Sequence, residues 1–111
     1  MSMQKIELTD ANFDAETSKG LCVVCFGEPT DHVCRKQAEI TVEAAAAIAG
    51  QGQLTVGICD VKKCFQSAQR LRVTKIPSTI IFKDGMEVER LGGCQHGKNL
   101  IDHLKKAVDA V

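Results

Sequence analysis

Leu21-Cys-Val-Val-Cys-Phe26 is an unbroken apolar run held between Gly20 and Gly27. A strand wetted on one face alternates apolar and polar residues, so an unbroken run predicts a strand buried on both faces. Such a strand sits inside a parallel sheet with helices above and below. Leu54 to Asp60 reads as a second strand of this kind. The rest of the chain supplies the cover. Lys5 to Leu8 is a short strand, followed by a helix carrying Phe13, capped by Thr9 or Asp10 and ended by Gly20. Val33 to Ala49 is an alanine-rich helix closed by Gly50. Lys63 to Arg70 is helical, with Phe65, Ala68 and Leu71 at helical spacing. Ser78 to Lys83 and Met86 to Leu91 are strands joined by Asp84-Gly85, a hairpin signal. Lys98 to Val108 places Leu100, Ile101, Leu104 and Val108 on one helical face. The order β-α-β-α-β-α-β-β-α predicts an α/β fold with a mixed central sheet flanked by helices on both faces. No linker-like stretch interrupts residues 1–111, so a single domain is expected.

Fourteen basic and fourteen acidic side chains cancel. Without a basic excess, nucleic acid is not an expected partner. No apolar run reaches the roughly 18 residues of a membrane helix, so no membrane association is expected. Met1 to Lys5 lacks the pattern of a secretory leader, and the expected location is cytoplasmic.

Six cysteines are many for a short cytoplasmic chain. Cytosolic thiols are kept reduced, so they point to packing, redox chemistry or metal. Cys22 and Cys59 read as small buried hydrophobes, and Cys64, at a helix start, as an exposed thiol without a role. Cys22 and Cys25 form a C-x-x-C, but on a strand residues three apart face opposite ways. Their Cα atoms would lie about 10 Å apart at 3.3 Å per residue, beyond the roughly 7 Å a disulfide allows. Asp31 ends the turn Glu28-Pro-Thr-Asp31 and reads as a helix N-cap, worth about 1 kcal/mol over alanine.

Five segments in order resemble the thioredoxin family. They are Leu8-Thr-Asp-Ala-Asn-Phe13, Val23-Val-Cys-Phe26, Ile76-Pro-Ser-Thr-Ile-Ile-Phe82, Lys83-Asp-Gly-Met86 and Leu91-Gly-Gly93. The resemblance covers nearly the whole chain and implies the thioredoxin fold, with a cis bond at Ile76-Pro77. It also implies an active site where the sequence departs from the family. Trp-Cys-Gly-Pro-Cys is replaced by Thr30-Asp-His-Val-Cys34, so Asp31 stands in place of the leading cysteine and Cys34 is retained. The family's buried acid aligns with Cys25 and its facing lysine with Ile58.

Dithiol exchange needs one thiol to attack and another to resolve. Asp31 cannot replace sulfur, and its charge opposes ionisation of Cys34, which is placed near the third position of the helix. Cys94, in the loop that the resemblance sets beside the active site, is the favoured partner for Cys34, with Cys25 beneath it as another. The expected function is an atypical, weak thiol–disulfide redox protein working through Cys34 and Cys94 or through mixed disulfides. A rival reading is a redox-inactive binding module. In either case the resemblance implies protein clients in a groove of Thr30, His32, Ile76, Pro77 and Gly93. A thioredoxin-type reductase is a further expected partner. No cofactor is expected. Cys34, Cys94, His32 and His96 leave zinc or an iron–sulfur cluster as a third possibility, although their spacings match no metal motif.

Overall fold

In a computed structural model, which describes residues 3–51 and 53–109, five strands form one sheet in the order β1-β3-β2-β4-β5. The strands are β1 (Met3–Leu8), β2 (Leu21–Gly27), β3 (Leu54–Asp60), β4 (Ser78–Lys83) and β5 (Met86–Gly92). β1, β3 and β2 run parallel, and β4 and β5 are antiparallel to their neighbours. The helices are α1 (Phe13–Thr17), α2 (His32–Ile48), α3 (Phe65–Arg70) and α4 (Gly97–Asp109), with a 3₁₀ turn at Ala49–Gln51.

The apolar run of β2 separates two cores. Leu21 and Val23 pack with Ala44, Ala45 and Ile48 of α2 and with Leu100 and Leu104 of α4. Cys22, Val24 and Phe26 pack on the other face with Phe13 of α1 and Ala68 of α3. Two-sided burial is the physical reason the run has no polar alternation. Cys22 and Cys25 are both free thiols. The hairpin between β4 and β5 turns through Asp84 and Gly85 at φ 51° and 86°, a left-handed pair that Asp-Gly tolerates.

Two expectations need correction. α1 is preceded by Asn12, not by Thr9 or Asp10, and has no side-chain cap. The Asp10 carboxylate instead accepts hydrogen bonds from Gln66 N and Ser67 N, at 3.1 and 2.8 Å, and so caps α3. Cys64 is not exposed but fully buried, with its thiol donating to the Leu8 carbonyl at 3.1 Å. Both corrections come from β1 and α3 closing on each other across more than fifty residues. Helix ends shift by one or two residues, most at α3, where a turn precedes Phe65.

Candidate functional site at the start of α2

The end of β2 delivers the chain into the turn that starts α2. Asp31 is the N-cap, extended at φ −87° and ψ 122°, and its Oδ1 accepts from Cys34 N at 3.0 Å. Cys34 is thus the third residue of the helix, and its side chain turns down onto the sheet. Gly27 is what lets it do so. A Cβ at residue 27 would lie 2.8 Å from the Cys34 Cβ and 2.9 Å from its Sγ. Only a residue without a side chain admits that approach.

Cys34 is 4% exposed. Burial pushes its thiol above the usual range. The Glu28 backbone N–H opposes that shift, while the charge and hydrogen bond of Asp31 and the charge of Glu28 add to it. Cys25 lies two residues before Gly27, on the same face of β2. Burial pushes its thiol up to about 11; Cys34 adds to the rise and the Thr41 and Thr79 hydroxyls offset it in part. Neither thiol is a ready thiolate at neutral pH.

Two cavities flank the first turns of α2. One, of about 240 Å³, is lined by Cys25, Gly27, Cys34, Arg35, Ile58 and Lys63, among others. The other, of about 250 Å³, is lined by His32, Val33, Lys36, Gln37, Cys94 and His96, among others. Cys34 and Cys94 therefore open to different sides of the helix. Cys94 is the one exposed cysteine of the six.

The loop that carries Cys94 is tied down at both ends. Gly93 N donates to the Pro77 carbonyl at 2.8 Å, and Gln95 N donates to Gln37 Oε1 at 2.8 Å. The Ile76-Pro77 bond is cis, and Gly93 has φ 80°. Thr30, Asp31, His32 and Ile76 are exposed and Pro77 is buried. His32, Cys94 and His96 share a cavity, but among the described residues no group of three His, Cys, Asp or Glu side chains could hold a metal. The zinc and iron–sulfur reading fails here because the Cys34 thiol faces the sheet and not the Cys94 side.

Three residues of the site have no role in it that the sequence assigns. Gly27 admits Cys34, Glu28 meets the Cys34 sulfur through its backbone, and Gln37 holds the Cys94 loop. Gln37 carried a legible signal. It is a polar residue, 2% exposed, on the buried stripe Cys34, Gln37, Thr41, Ala44, Ala45 and Ile48 of α2. A polar group there needs a partner, and the Gln95 amide is that partner.

The family model described as Thioredoxin matches residues 4–106. The chain is similar to thioredoxin of Staphylococcus aureus (strain Mu50 / ATCC 700699), at 32% identity over 104 residues, covering 94% of this chain and 98% of that protein. Among solved structures it resembles a single-site mutant of thioredoxin from Halobacterium salinarum NRC-1, with a TM-score of 0.80 and 21% identity. That likeness covers 97% of this chain and 94% of the other.

Proposed function

The chain belongs to the thioredoxin family, whose chemistry is thiol–disulfide exchange, and from that premise we propose an atypical redox protein working through Cys34 and Cys94. The observation that carries the reading is the exposure of Cys94 on a loop held against α2 by Gln37. Cys94 attacks a client disulfide as thiolate, and one client sulfur leaves with its electron pair and takes up a proton. Cys34, once ionised, then attacks the Cys94 sulfur and releases the second client thiol. The product is a Cys34–Cys94 disulfide, which a thioredoxin-type reductase returns to two thiols with two electrons and two protons. His32 and His96 line the same cavity as Cys94 and offer bases for its proton. Thr30, His32, Ile76, Pro77 and Gly93 form the groove that receives the client, and Asp31 fixes the helix start while slowing Cys34.

For the bond to form, the 92–96 loop must swing over the helix start. Gly92 and Gly93 supply the hinge, and the Gln37–Gln95 tether must open. Exchange is therefore slow compared with an ordinary thioredoxin. The burial of Cys34 and its raised pKa favour a second reading, a binding module that keeps the groove and performs no exchange. Reduction of a protein disulfide, followed with a dithiol reductant as electron source, separates the two. The redox reading expects slow turnover that Cys34→Ser and Cys94→Ser each abolish. Turnover equal to the uncatalysed rate, with client still bound, supports the module.

A further inference from the structure

We propose that Cys59 and Cys64 are a second dithiol, separate from Cys34 and Cys94, that closes to an intramolecular disulfide when a small peroxide reaches it. The inference does not rest on the function proposed above.

Cys59 is the penultimate residue of β3 and stands beside Leu8 of β1 in the sheet register. After it the chain turns sharply. The Asp60 carbonyl accepts from Lys63 N at 2.8 Å and from Cys64 N at 2.9 Å, and Asp60 Oδ1 accepts from Lys62 N at 2.9 Å. This turn doubles the chain back and sets the Cys64 thiol on the carbonyl of that same Leu8, 3.1 Å away. Cys59 and Cys64 consequently come together beside Leu8 inside one apolar cluster, 1% and 0% exposed, near enough for each thiol to influence the other's ionisation. Two thiols gathered at one residue, Leu8, meet the first requirement of a disulfide, which is proximity.

Burial raises both thiols. Each then acts on the other in opposite senses: Cys59 favours ionisation of Cys64, and Cys64 opposes that of Cys59. Cys64 is therefore the first nucleophile. Its thiolate attacks one peroxide oxygen, the O–O bond breaks, and the hydroxide released takes up the thiol proton to leave as water. The Cys59 sulfur attacks the resulting sulfenic sulfur, and the sulfenic hydroxyl departs with the Cys59 proton as a second water. Two thiols and one hydrogen peroxide become one disulfide and two waters. Full burial excludes a client protein's disulfide but admits a molecule as small as peroxide during local opening. The couple is thus a peroxide-responsive site, not a second client site.

Lys62 and Lys63 lie between the two cysteines, so trypsin separates them. Peptides 37–62 and 64–70 then remain joined only through a disulfide. Wild type and Cys34→Ser/Cys94→Ser protein are treated with hydrogen peroxide, blocked and mapped without reduction. Both are expected to yield the joined 37–62 and 64–70 peptides. Cys59→Ala is expected to lose the joined product and leave Cys64 as a sulfenic acid that a sulfenic-selective reagent captures. Circular dichroism checks that this variant folds, and the wild-type map stands without it. The proposal is overturned if both peptides keep free thiols after Cys94 is fully oxidised. It is equally overturned if either peptide joins only to other cysteines.

Discussion

Replacing Asp31 separates two effects that this side chain combines. Its carboxylate accepts the Cys34 N–H at 3.0 Å, and its charge helps keep the Cys34 thiol protonated. Asp31→Ala removes both. Loss of an N-cap costs about 1 kcal/mol, which lowers the melting temperature of a domain this size by about 4 °C. Asp31→Asn keeps an acceptor oxygen and loses only the charge. The cost is then limited to the charge–dipole contribution at the helix start, about 0.3–1 kcal/mol. Reactivity should move in the opposite direction. Burial is the largest cause of the Cys34 shift and remains in both variants, so Cys34 stays slow in absolute terms. Removing the charge should speed its alkylation on the order of a few-fold at fixed pH in both variants, and further in Ala, which also loses the hydrogen bond that favours the thiol. The assay is thermal unfolding by circular dichroism, paired with alkylation of peptide 20–35 in a Cys94→Ser background. Stability should fall in the order wild type, Asn, Ala, while alkylation rises in that same order. An Ala variant as stable as wild type, or alkylation indifferent to the charge, would refute these roles for Asp31.

Three further outcomes are expected. Gly27→Ala forces a Cβ to within 2.8 Å of the Cys34 Cβ, so it should destabilise by about 1–3 kcal/mol in urea unfolding, and an unchanged midpoint would contradict the packing described. Asp31→Cys should raise protein-disulfide reductase activity well above wild type, because the helix start, cis proline and groove are already present; no gain would mean the groove does not present clients to residue 31. Stability should fall as pH rises above the ordinary thiol range near 8.5. Cys22 and Cys25 are raised to about 12 and about 11 in the folded chain, so the unfolded chain loses these protons first and is favoured by up to about 1.4 kcal/mol per pH unit per thiol until the folded values are reached. Unfolding midpoints at pH 7 and pH 10 check this, and equal midpoints would exclude it.

The fold was legible where local pattern and tertiary environment agree. The unbroken run at Leu21–Phe26 announced a strand covered on both sides, and Asp84-Gly85 announced its turn, because each signal depends on neighbours in sequence. The cap at Asp31 was legible for the same reason. Asp10 and Cys64 were misread because their partners lie far along the chain: Asp10 caps a helix that starts at Phe65, and Cys64 meets the Leu8 carbonyl. A pattern of single residues carries no information about such pairs. The candidate site divided along the same line. Its residues were named from the resemblance, but the side of α2 to which Cys34 points was set by Gly27, a close approach that no residue pattern displays.

Disulfide mapping after mild oxidation by a small aliphatic disulfide tests the proposed redox role most directly. Trypsin places Cys34 in peptide 20–35 and Cys94 in peptide 91–98. A Cys34–Cys94 couple predicts that these two peptides appear joined in unreduced digests of wild type, and that Cys34→Ser and Cys94→Ser each abolish the product. If Cys94 instead carries only the small thiol while Cys34 stays unmodified, the Cys34–Cys94 couple does not exist and the groove serves binding alone.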